Sequence, residues 1–127
     1  MQIIRQDGNE NDCGVCCVAM LADVSFEDAL RAFGNRNRDG STKPSHIHDA
    51  FNRLGFSMSG KCGRGITLDR SYFAGINENV LLRVERSGRN WHWAVWNGEE
   101  KCVHDPLYGV RRNFPAHVSG YYRVRQV

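Results

Sequence analysis

Three cysteines crowd into five positions near the start of the chain, Cys13, Cys16 and Cys17, and a strand-like run far downstream carries His92 and Asp105. A thiol, an imidazole and a carboxylate are the parts that nucleophilic acyl chemistry needs. One attacks, one moves the proton, and one holds the base in a single tautomer. Asp12 stands where a helix N-cap would, and Val15, Val18, Ala19 and Ala22 are spaced as one helical face. Cys13 therefore falls in the first turn of a helix, where unpaired N–H groups and the positive end of the dipole favour a thiolate. Asp12 opposes this unless its carboxylate is turned into the cap.

Other chemistries compete for the triplet. Cys13-Gly14-Val15-Cys16 has the spacing of a dithiol redox motif, but the residues before it, QDGNEND, are not the buried apolar strand such motifs follow. A metal site is weaker, because there is no second C-x-x-C, and Cys62 and Cys102 stand alone. The third reading makes Cys13 the nucleophile and leaves Cys16 and Cys17 as small buried apolar residues on the inner side of the helix. That reading fits the context best.

The base and the acid come from the segment NWHWAVWNGEEKCVHDP. Alternation along a strand puts His92, Ala94 and Trp96 on one face and Trp91, Trp93 and Val95 on the other. Asn97-Gly98 is a turn signal that returns the chain antiparallel. A four-residue loop from Asn97 to Glu100 sets His92 opposite Asp105; a turn at Asn97-Gly98 alone sets it opposite Val103, with Asp105 diagonal. In both registers Asp105 shares the face of His92, and His104 points away. The other histidines carry less: His46 and His48 are expected to face solvent near a helix start, and His117 lies in a loop.

These residues have to be positioned by ordinary elements. After the helix at Cys13, Ser25 can cap a second, with Asp28 near the capping-box position and Gly34 as its stop. A third begins at Pro44 or Ser45, carries Ile47, Ala50, Phe51 and Leu54, and ends at Gly55. NRNRDGST between them reads as a polar loop. Strands are expected at about 80–86, 91–96, 101–105 and 121–127. Helices first and antiparallel strands after them make an α+β domain in two layers.

The bulk composition agrees and excludes other classes. The length, 127 residues, suits one domain over 1–127. With 41% hydrophobic and 24% charged residues the chain is of ordinary globular make-up, and no apolar run approaches the roughly 20 residues of a membrane span. Net charge is +3, and Arg111, Arg112, Arg123 and Arg125 read as a solvated strand edge, with no nucleic-acid motif beside them. Five cysteines, an odd count, and no apolar h-region in the first dozen residues point to reduced thiols in a cytoplasmic protein.

The run Gln6…Asp12-Cys13-Gly14-Val15-Cys16-Cys17-Val18-Ala19-Met20-Leu21 resembles the nucleophile motif of the bacteriocin-processing, double-glycine leader peptidases of the papain-like clan. The likeness continues through Gly40-Ser41-Thr42…Leu54-Gly55-Phe56, His92-Trp93-Ala94-Val95 and Val103-His104-Asp105-Pro106-Leu107-Tyr108-Gly109. It implies a papain-like fold, with N-terminal helices packed on a C-terminal antiparallel sheet. Cys13 would then be nucleophile, His92 base, Asp105 orienting acid and Gln6 oxyanion donor, although Gln6 stands one position farther from the Cys than is usual there. The implied activity is a cysteine hydrolase acting on a peptide or isopeptide bond, with a peptide or protein substrate and no metal or organic cofactor. An acyltransferase, a non-catalytic binding module on the same frame, and a dithiol redox protein using Cys13 and Cys16 are the alternatives.

Overall fold

The computed structural model describes residues 1–5, 12–34, 42–62, 68–85, 91–115 and 117–127. Helices α1 (Cys13–Ala22), α2 (Phe26–Phe33) and α3 (Pro44–Arg53) come first. They are followed by β1 (Phe56–Cys62), a short α4 (Arg70–Phe73), β2 (Val80–Glu85), β3 (Trp91–Asn97), β4 (Cys102–Asp105), β5 (Gly109–Arg111) and β6 (Val118–Gln126). The strands form one antiparallel sheet in the order β1-β6-β2-β3-β4-β5. Among the described residues no helix is long and apolar enough to cross a membrane.

Local chemistry places α2 and α3 where the sequence puts them. Ser25 Oγ accepts the Asp28 N–H at 3.0 Å, Gly34 ends α2 at φ +65°, and Pro44 opens α3, whose Ile47, Ala50 and Phe51 are buried. α1 departs from the expected single stripe. Nine of its ten residues are buried, because it packs against α2, α3 and β3 at once; a helix apolar all round belongs in the interior. Nor does Asp12 cap it. Its backbone, at φ −106° and ψ 14°, is outside the extended region that aims an N-cap side chain at the first amides, and its side chain makes no cap hydrogen bond.

β1, β5 and α4 were not foreseen. β1 offers only Phe56 and Met58 as apolar pattern, β5 has three residues, and Ser119-Gly120 imitates a turn where β6 has already begun. The polar loop is described only at its end. Thr42 there is buried, and its carbonyl accepts both the Trp91 and the Trp93 indole N–H, at 3.1 and 2.9 Å. Trp93, Val95 and Leu81 complete the core under the helices. Ala94, Trp96, Leu82 and Val103 form a second core with Phe73 of α4 on the other face.

The β3–β4 hairpin differs from both expected registers. Its pairs are Val95–His104, Trp96–Val103 and Asn97–Cys102, closed by a four-residue loop from Gly98 to Lys101. Asn97 sets this loop: its Oδ1 accepts the Glu99 and Glu100 N–H groups at 3.1 and 3.0 Å. Lys101 takes the left-handed conformation (φ 55°) and is tied by Nζ to Ile76 O at 3.0 Å and Asn77 Oδ1 at 2.6 Å. The ladder is offset by two residues from the first expectation, an even shift, so every side chain keeps its face. Gly98 is required by close approach rather than by φ: a Cβ there would lie 2.3 Å from Glu78 O and 2.4 Å from the Asn77 carbonyl carbon. Gly98→Ala should cost about 1–3 kcal/mol in urea unfolding. Gly75→Ala, with nothing within 4 Å of the new methyl, should stay within about 0.5 kcal/mol of wild type.

Candidate active site

The hairpin and the start of α1 bring together the thiol, the imidazole and the carboxylate. Cys13, His92 and Asp105 are 1%, 5% and 1% exposed. His92 Nε2 donates to Asp105 Oδ1 at 2.7 Å, and the Cys13 thiol is a second hydrogen-bonding partner of the ring. With Nε2 engaged by the acid, Nδ1 is the nitrogen left to the thiol. Asp105 lies across from Ala94 when the Val95–His104 register is continued, one same-face step from His92.

Asp105 is held by the turn that follows it. Oδ1 also accepts the Leu107 and Tyr108 N–H groups at 2.8 and 3.2 Å, an Asx-type turn closed by the Asp105–Gly109 pair of β5. Burial works against its charge, but the His92 hydrogen bond and charge, with the two backbone N–H groups, outweigh it and hold the carboxyl below its ordinary range. Burial likewise disfavours the charged imidazole. The Asp105 and Cys13 hydrogen bonds and their charges overcome that and lift His92 to about 9.

The neighbouring thiols are made different by place. Cys16 and Cys17 are wholly buried, as expected, and Cys17 is pushed well up by burial and then by the charges of Cys13, Cys16 and Asp105. Gln6 lies outside the described residues. Arg5 beside it, however, donates to the carbonyls of Pro106 and Leu107 at 3.2 and 2.9 Å, on the turn after Asp105.

Neither protein-family models nor curated protein sequences match the chain. Among solved structures it is similar to the peptidase domain of Streptococcus ComA, a bi-functional ABC transporter involved in a quorum-sensing pathway. That match covers 99% of this chain and 98% of the other, at TM-score 0.77 and 20% identity. It is also similar to a double glycine motif protease from an AMS/PCAT transporter in complex with the leader peptide, over 99% of this chain and 91% of the other, at TM-score 0.69 and 16% identity. The fold is papain-like.

Within this papain-like frame three residues not foreseen at the site border His92 and Asp105. Arg5 is one. Tyr108, 60% exposed, meets the His92 ring in a T-shaped contact with centroids 6.5 Å apart. Arg111 lies over the Tyr108 ring at 5.2 Å and brings Nη1 to 3.8 Å from Asp105 Oδ2. The four late arginines are thus not one solvated edge: Arg123 and Arg125 both pair with Glu78, and Arg112 reaches Glu100 O. No spacing rule points to these contacts, which depend on the β4–β5 turn. His104 stays off the His92–Asp105 pair, its Nε2 3.3 Å from Asn97 Nδ2. His48 is exposed, but His46 is not the solvent-facing residue expected: it is half-buried, with Nδ1 shielded and unpartnered among the described residues.

A raised imidazole pKa ties stability to pH with a definite sign. The contribution of His92 is complete below the unfolded value near 6.5 and is lost as pH rises through the folded value of about 9. Urea unfolding should therefore show wild type losing stability between those limits relative to His92→Gln. NMR titration should place the His92 midpoint near 9 and move it down in Asp105→Asn and in Cys13→Ala.

Proposed function

We propose that the chain is a cysteine hydrolase of the peptidase class, cleaving a peptide or other amide bond through Cys13, His92 and Asp105. The observation that carries this reading is the imidazole bridged between two partners, Asp105 on Nε2 and the helix-start Cys13 thiol. A raised imidazole pKa beside a thiol favours a thiolate–imidazolium pair that exists before substrate arrives. The similarity in fold to peptidase domains, one of them holding a leader peptide, supports a peptide as substrate.

In this mechanism Cys13 Sγ attacks the carbonyl carbon and forms the C–S bond. The oxyanion is met by the Cys13 N–H, which the helix itself leaves without an acceptor, and by the Gln6 side chain. Arg5, pinned beside the Asp105 turn, supports a place for Gln6 near the reaction. The imidazolium gives its proton to the amine as the C–N bond breaks. Water then attacks the acyl-enzyme, its proton passes to His92, and the thiolate is released. If an amine takes the place of water, the same steps make an acyltransferase. Residues 1–127 act in this reading as one peptidase domain, in a reducing compartment, and the chemical steps need no metal or organic cofactor.

A panel of peptide aldehydes and vinyl sulfones, followed by intact mass and peptide mapping, should place one adduct on Cys13 and indicate a substrate. On that substrate Asp105→Asn should fold and lose less than the roughly 10⁴ in kcat that the change costs serine triads, since the preformed ion pair relies less on proton abstraction. Gln6→Ala should lose roughly 10²–10³ in kcat with little change in KM. Silence of both variants would refute the mechanism. Cys16→Ser should leave hydrolysis largely intact, whereas a dithiol enzyme would lose everything; a readily reversible Cys13–Cys16 disulfide at cytosolic potentials would favour the redox reading.

A further inference from the structure

Asp105 and Val103 occupy one face of β4; Cys102 and His104 occupy the other. One donor atom each from Glu100, Cys102 and His104 lie within 4.8 Å of one another, in the loop and strand that carry the acid of the triad. The Cys102 thiol points its proton at Glu100 Oε2, 3.9 Å away. His104 is 2% exposed, and its Nδ1 is buried with no hydrogen-bond partner among the described residues. A buried imidazole nitrogen without a partner is costly unless something is bound there, and the ring belongs to the same cluster as a sulfur and a carboxylate.

We propose that Glu100, Cys102 and His104 form a divalent-metal site of the zinc type. One sulfur, one imidazole nitrogen and one carboxylate oxygen suit a borderline ion such as Zn²⁺, and exclude Ca²⁺ or Mg²⁺, which want oxygen throughout. The ion replaces the proton now held between Cys102 and Glu100; the Cys102 S–H bond breaks, the metal–sulfur bond forms, and the proton goes to solvent. Zinc–ligand bonds of ~2.0–2.3 Å need donors roughly 3.5 Å apart, so the cluster has to contract. Glu100, exposed in the loop, is the arm free to swing in, while Cys102 and His104 are fixed two residues apart on a paired strand. Two nearby cations are engaged: Arg70 donates to the Arg112 and Lys101 carbonyls at 2.6 and 3.0 Å, and Arg112 to Glu100 O at 3.5 Å. A bound ion would pin the loop to β4 and so brace the strand that presents Asp105. A search for paired C-x-x-C motifs passes over Cys102-Val103-His104, because that spacing converges only on a strand.

The site does not depend on the peptidase reading and has its own test. The full chain carrying Cys13→Ser, which removes the thiol of the triad, is titrated with Co²⁺ and followed by absorbance, then challenged with Zn²⁺. One equivalent should bind with a thiolate-to-cobalt charge-transfer band and intense four-coordinate visible bands, both erased by Zn²⁺ and both absent in Cys102→Ser. Glu100→Gln, at an exposed position that does not threaten folding, should weaken binding about tenfold or more. No thiolate–cobalt band, or a band undiminished in Cys102→Ser, overturns the site, while adduct formation at Cys13 in the wild-type chain is unaffected by either result.

Discussion

A short hydrogen bond between His92 and Asp105, nearly closed to water, is the interaction to which most of the surrounding structure answers. In the interior a charge pair is worth its desolvation only when the geometry is good and the remaining lone pairs are met. Asp105 meets that condition with two backbone N–H groups from its own turn. His92 meets it with a second partner in Cys13. Removing either partner would leave the other as a buried, unsatisfied charge, which is why the pair constrains three elements at once: α1, the β3–β4 hairpin and the β4–β5 turn.

The hairpin shows how that constraint tolerates error. Its ladder is two residues away from the first register the sequence suggests, yet Asp105 remains on the face of His92, since side chains alternate with period two. An odd slip would have exchanged Asp105 for His104. What prevents it is the loop: Asn97 holds two amides, Lys101 accepts a left-handed backbone, and Gly98 fits against the Asn77–Glu78 backbone. Stability of this loop is therefore a condition on His92 and Asp105, which flank it on β3 and β4.

What could be read from the residues alone follows the same division. α2, α3 and the face of His92 and Asp105 rest on local rules, namely a serine cap, a proline start, strand alternation and a turn signal, and the structure has them. The nature of α1 was less legible, since a helix enclosed on every side has no polar face to reveal its orientation, and Asp12 carries the residue type of a cap without its backbone. β1 lacked a pattern, because its alternate positions are Ser57, Ser59 and Lys61 against Phe56, Met58 and Gly60. Arg5, Tyr108 and Arg111 were invisible for a different reason. Each reaches the site through a tight turn whose geometry is set by Asp105 itself, and such contacts have no period in sequence.

The three neighbouring thiols make the last point about position. Cys13, Cys16 and Cys17 share one chemistry and nearly one degree of burial, so exposure does not distinguish the proposed nucleophile from its neighbours here. The helix does. The Cys16 N–H is spent on Asp12 O at 2.9 Å, while the first-turn N–H of Cys13 has no acceptor within the helix and can meet an oxyanion. The Cys17 thiol is driven up by burial first and then by the charges of Cys13, Cys16 and Asp105. Cys13 stands beside the His92 imidazole. One helical turn therefore separates the sulfur that meets the His92 ring from one whose thiol burial and neighbouring charge drive up.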